Sequence, residues 1–382
     1  MLLPRALGPA AFAELAVALT IVSVGATATA LGGPALMARF LPGAPQSERP
    51  GLARALAVRV GVVRIAWAGG LALLAAFASA IDPEAVPPST VALTATALVC
   101  SVVATVLLQA ALGLGRIGWW IARYPLENSV IVVVALSLGS VGAVAALPIA
   151  TAVSLALGLL AAGRELAAAP ATVTPPVPML RFARMQAATG ALTHLGLRGA
   201  IPVVALLGTA SETADAALAI GVGVAALFGF AQLFVVLLPA AVAAAQRDGG
   251  VGAERRLART AALCVAVAVP TTAVLIAGAG PVVDLVFGPA YADAADALRV
   301  AFAVVAVAPL WAWLSQLAVL RLRPEIQLRA AAVGAACFCL AVAPVVTAAG
   351  AAGAAAMMVV SICVPVAVLA AGLATTGDAT IA

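Results

Sequence analysis

The sequence predicts an all-α integral membrane protein of about eleven transmembrane helices arranged in two bundles. Three observations carry that prediction. Of 382 residues, 65% are hydrophobic and 9% are charged. Mean hydropathy is +1.18, and the basic residues recur in alternate loops. A soluble domain carries about 25% charged residues, so lipid must solvate most of this chain. Without water to satisfy the backbone, only helices or a closed barrel can span a bilayer. The apolar stretches here are long and unbroken rather than alternating, which selects helices.

Apolar windows of about 20 residues, ended by charge, Pro or Gly, mark the spans. The first covers 12–36, followed by the polar stretch 39–54; the second covers 55–81 and ends in a turn at 82–88. A third, 90–114, leads into a polar segment at 115–124. The uncharged run 130–163 would be about 50 Å long as one helix, against a hydrocarbon core of about 30 Å. It is therefore divided at Leu147–Pro148. Four prolines, Pro170, Pro175, Pro176 and Pro178, mark the clearest linker. The expected domains are an N-terminal bundle over 1–169, a cytoplasmic linker over 170–184 and a C-terminal bundle over 185–382. In the second bundle the spans are 185–208, 214–245, 257–279, 290–320 and a long run, 330–377, that breaks best near 348–353. Pro202, Pro239, Pro270, Pro309 and Pro365 fall inside spans and predict kinks.

Charge supports this threading. Alternate loops carry Arg39/Arg49/Arg54, Arg116/Arg123, Arg164/Arg181/Arg184, Arg247/Arg255/Arg256/Arg259 and Arg321/Arg323/Arg329. The intervening loops carry Asp82/Glu84, Glu212/Asp215 and Asp284/Asp293/Asp296, and only Arg5 and Arg299 fall with the acids. The positive-inside rule then places the N-terminus outside and the C-terminus in the cytoplasm of a multi-pass inner-membrane protein. Residues 1–9 lack the charged start and apolar core of a signal peptide and read as the stub of a further, upstream helix.

Other classes fit poorly. The net charge is +5, but the arginines are scattered without interleaved aromatics, so no nucleic-acid surface is predicted. Cys100, Cys264, Cys337, Cys339 and Cys363 lie in apolar segments and read as packed free thiols. With a single His and no His/Cys/acid cluster, no metal and no cofactor is expected.

At Leu7-Gly8-Pro9-Ala10-Ala11-Phe12 the chain resembles the polysaccharide flippases, the Wzx-like branch of the MOP superfamily. A second resemblance is Val286-Phe287-Gly288-Pro289-Ala290-Tyr291, similar to that family's Phe-Gly-x-x-Tyr turn. Leu207-Gly208 is similar to Leu7-Gly8 and suggests a faint internal repeat. Order, spacing and loop polarity match over nearly the whole chain. The resemblance implies a twelve-helix fold without its first helix, and a transporter rather than an enzyme. Its cargo would be polyprenyl-pyrophosphate-linked oligosaccharide, flipped from the inner to the outer leaflet by rocking of one bundle against the other. Membrane lipids and polysaccharide polymerase or ligase components would be its partners.

Arginines inside spans are the sharpest candidates for a site. Arg64 and Arg198, one from each bundle, with His194 nearby, would hold the pyrophosphate, because a guanidinium fork matches phosphate oxygens. Packing is the competing reading for His194, and snorkelling to the interface is the better one for Arg59. Gln109, Asn128, Gln186, Gln232 and Gln316 suit interhelical hydrogen bonds or a sugar path. Trp119, Trp120 and Tyr124 read as interfacial anchors, and Trp311 and Trp313 as packing or sugar-stacking residues. All fifteen acids are expected in loops or at helix ends, which counts against a cation-coupled drug extruder of the MATE type. A membrane-embedded glycosyltransferase or ligase would need larger outer loops with catalytic acids; a non-transporting scaffold stays open.

Overall fold

The computed structural model describes residues 2–28, 33–81, 88–170, 175, 177–248 and 250–375. All of their regular structure is helical. The helices are α1 Leu2–Ala28, α2 Gly33–Phe40, α3 Arg49–Ile81, α4 Pro88–Gly113, α5 Ile117–Gly142, α6 Ala146–Gly158 and α7 Arg164–Ala168. They continue with α8 Val177–Arg198, α9 Ala200–Leu207, α10 Ala210–Asp248, α11 Gly250–Ala277, α12 Ala279–Val282, α13 Ala294–Leu320 and α14 Pro324–Thr375. Nine described helical stretches are long and apolar enough to cross a membrane, and the bent pair α8–α9 makes a tenth. Gly350 divides the 52-residue α14 into two more nearly span-length pieces, which brings the count to eleven. The chain is a multi-pass, all-helical membrane protein.

Glycine sets the tight turns. Gly8 (φ 74, ψ 167) separates a short helical stub from the rest of α1, and Gly139 (φ 65, ψ −163) ends the straight part of α5. Gly288 (φ 88, ψ 173) turns the chain into the short 3-10 turn Pro289–Tyr291. These conformations are open essentially to Gly alone. A polar loop is unnecessary where one residue can reverse direction.

Several boundaries differ from expectation. The split of the middle run falls at Gly139 and the 3-10 turn Ala143–Ala145, not at Leu147–Pro148. Pro148 sits in the first turn of α6, where its missing N–H has no partner to lose. The expected polar segment at 115–124 is mostly helix, the start of α5. The first expected span, 12–36, is instead α1 followed by the short α2. The turn with Asp82 and Glu84, together with Pro176, lies outside the described residues.

Two compact units form, Ala18–Ala191 and Met1–Val17 with Leu192–Ala382, so the division passes through α1 and α8. The start of α1 joins the second unit for a visible reason. Tyr291, 1% exposed, donates its hydroxyl to the Pro4 carbonyl at 3.0 Å, and Phe12 meets the Tyr291 ring edge-on at 6.2 Å. In that unit α13 packs through Ala297, Ala301, Val304 and Ala308 against α10 and α14. Small residues bring backbones close where lipid supplies no hydrophobic drive. In the other unit, α3 turns Val62, Leu73, Leu74 and Phe77 outward.

Candidate functional site

α8 carries two of the three expected site residues and ends in mid-span. It meets α9 at a 41° bend. The hinge is Gly199, where a Cβ would stand 2.4 Å from the Leu195 carbonyl oxygen and 3.1 Å from the Phe338 ring. Arg198 is the last residue of α8. Carbonyls in a helix's last turn lack intrahelical donors and favour a cation there. Arg198 is partly buried, and its Nε–H has no hydrogen-bond partner. One turn earlier, His194 stacks on Phe228 at 5.3 Å with its Nδ1 buried and unpartnered. The ring is held mainly by packing.

Arg64 lies in α3, within the other unit, and its side chain is fully buried. Its Nη2 donates to the Ala26 carbonyl at 2.7 Å, in the last turn of α1, while Nε and Nη1 have no partner. Among the described residues neither Arg64 nor Arg198 makes an ion pair. Arg64 is a buried cation and Arg198 a partly buried one, both without a carboxylate, an unfavourable arrangement unless an anion completes it. Arg59, by contrast, is exposed. Other arginines cap helix ends: Arg54 donates to the Ala167 and Ala169 carbonyls, and Arg116 to Ala161.

Three acids lie deeper than expected. Glu14 falls inside the span Leu3–Ala26, and Glu127 inside Ile117–Gly139. α1 starts before the expected span and α5 absorbs the expected loop, so both carboxylates move inward. Glu127 is fully engaged, accepting from Ser154 at 2.7 Å and pairing with Arg123 at 3.2 Å. The Arg123 guanidinium also lies over Trp120 and Tyr124, at 5.9 and 5.3 Å. Trp120 is 2% exposed, so it packs inside the unit rather than anchoring at the interface; Trp119 remains exposed. Asp215, 4% exposed in α10, has an Oδ1 without a partner. Its neighbour Glu212 is accounted for, since Thr209 and Glu212 form a reciprocal capping box. That Thr-x-x-Glu signature is legible at Thr209–Glu212; nothing in the sequence marks Glu127. Gln109, 1% exposed, has neither amide atom hydrogen-bonded. No three described His, Cys, Asp or Glu side chains come together in a metal-binding group.

Solved structures share this architecture. A eukaryotic MATE transporter, AtDTX14, aligns over 96% of this chain and 88% of its own, with a TM-score of 0.70 and 16% identity. The fold is that of MOP-superfamily transporters. The Vibrio cholerae MATE transporter VcmN aligns over 98% of this chain and 97% of its own, with a TM-score of 0.62 and 14% identity. A MOP-superfamily transporter from Pyrococcus furiosus, described as having a binding pocket of reversed polarity, gives 0.62 and 14% over 98% and 89%. No family model and no curated protein matches by sequence. The structural likeness is to MATE and MOP transporters in general. The likeness to the flippase branch rests on the motifs around Gly8 and Gly288.

Proposed function

We propose that this chain is an alternating-access transporter that flips polyprenyl-pyrophosphate-linked oligosaccharide across the inner membrane for cell-surface polysaccharide assembly. The observation that carries this reading is Arg198, a guanidinium placed where a span breaks and left with an unpartnered Nε–H. Broken spans are where transporters commonly hold charged substrate groups. Arg64, in the other unit, is a second buried cation with open donors. His194 orients or packs beside Arg198. Binding and reorientation suffice for this task, and no covalent step is needed.

The test uses the purified full chain in liposomes with a labelled polyprenyl-pyrophosphate oligosaccharide, read by exposure of the glycan to an external lectin. Arg198→Ala should stop flipping and Arg198→Lys should restore part of it. Flipping by Arg198→Ala at the wild-type rate would overturn the assignment.

A second reading, a cation-coupled exporter, is favoured by Asp215 and by the acids inside spans. It predicts that an imposed proton or sodium gradient drives export and that Asp215→Asn uncouples it. Depletion in cells separates the remaining alternatives. Lipid-linked glycan trapped inside indicates transport, unprocessed glycan outside indicates a ligase, and no build-up indicates a scaffold.

A further inference from the structure

We infer that a cleft formed by α11, α13 and α14 is a binding site for one anionic phospholipid of the surrounding leaflet. The cleft has a volume of about 510 Å³ and lies wholly within the unit that contains Leu192–Ala382. That volume falls in the ~300–1,000 Å³ range of small-molecule sites. Leu310, Leu317 and Ala370 are among the apolar residues of its walls, and Glu254, Arg255 and Arg321 give it a charged rim. From Leu310 to Arg321 the cleft follows three turns of α13, about 16 Å along the axis. One end is therefore apolar and the other carries guanidinium groups.

Charge complementarity selects the occupant. Arg321 is neutralised by a two-pronged pair with Glu254, at 2.8 Å from Nε and 2.7 Å from Nη2. That pair also fixes α11 against the end of α13. Arg255 is exposed and has no hydrogen bond or ion pair among the described residues, so the rim keeps one uncompensated positive charge. Part-way down, Trp313 lines the cleft and its buried indole N–H has no acceptor. A phosphodiester at Arg255 and an acyl chain along Leu310 and Leu317 would satisfy both the charged rim and the apolar wall. A zwitterionic lipid would fill the apolar part but would bring its own cation to Arg255. Basic pockets between helices near a membrane surface bind acidic headgroups in this manner.

The test places the full chain in nanodiscs of phosphatidylcholine with a minor fraction of phosphatidylglycerol, either lipid carrying bromine in its acyl chains. Quenching of Trp313 is read as the difference between wild type and Trp313→Phe. Brominated phosphatidylglycerol should quench well beyond its share of the bilayer. Arg255→Gln should lower that preference about fivefold, the effect of one arginine near a lipid surface. Arg329→Gln, an exposed charge outside the cleft, should leave it unchanged. Ala370→Phe fills the cleft from an exposed position without adding an indole and should abolish quenching of Trp313 by both lipids. Equal quenching by the two lipids, or equal losses from Arg255→Gln and Arg329→Gln, would overturn the site. Neither outcome bears on glycan flipping, which is measured separately.

Discussion

Replacing Arg64 with Met keeps most of the side chain's volume, though not its reach, and removes its charge. In the native protein the fully buried guanidinium gains one charged hydrogen bond, to the Ala26 carbonyl at 2.7 Å. Such a bond contributes about 1.5–3 kcal/mol. Burying an ion costs several kcal/mol, and exchanging a buried ionic group for an apolar one of similar volume runs from about neutral to ~4 kcal/mol stabilising. The bond from Arg64 to the Ala26 carbonyl is then lost, at up to about 3 kcal/mol. The two terms cancel at their centres, so the Met protein should lie within about 1 kcal/mol of wild type, or within about 2–4 °C in Tm for a unit of this size. Thermal unfolding of both proteins in one detergent measures the shift, and the liposome assay measures transport. Arg64→Met should be about as stable as wild type and inactive. A fall in Tm of about 4 °C or more would show that Arg64 serves chiefly to hold the end of α1, and would remove it from the anion proposal.

Other outcomes follow from single contacts. Tyr291→Phe strips the donor from the Pro4 carbonyl and should cost about 1–3 kcal/mol, with faster amide exchange in residues 2–7; unchanged exchange would mean that the contact does not anchor the stub. Gly288→Ala, at φ 88 and ψ 173 with only ordinary contact between the new methyl and Arg5 at 3.9 Å, should cost about 1–3 kcal/mol through backbone strain alone. Gly221→Ala, in α10 with nothing within 4 Å, should instead stabilise by a few tenths of a kcal/mol to about 1; the two melting curves should shift in opposite directions. Gly199→Ala drives a methyl into the Leu195 carbonyl and should disturb the 41° bend and with it flipping, while His194→Phe should retain flipping because the ring is held by stacking on Phe228.

Much of the fold was legible because a bilayer is an exacting solvent. The long apolar windows predicted helices, the break near 348–353 is found at Gly350, and the motif around Gly288 is the turn that buries Tyr291. The misplaced split at Pro148 has a plain cause. Proline breaks a helix in its interior but not in its first turn, and which of the two applies depends on where the helix starts. That start is Ala146, two residues before Pro148 and just after the 3-10 turn Ala143–Ala145. The same uncertainty hid Glu127, which counts as a loop residue until α5 is known to begin at Ile117.

By itself the sequence determined the solvent, the helical class and the short list of arginines able to meet phosphate, because composition and spacing decide what lipid will tolerate. Only the tertiary structure decided which of those arginines are exposed and which are buried without a carboxylate. It alone placed Arg198 at a bend, aimed Arg64 at the end of α1, and gave Glu254 to Arg321 while leaving Arg255 free. The physical reason is that partnership depends on distance between helices. Residues far apart in the chain come within hydrogen-bonding reach only once the small-residue faces of those helices have packed.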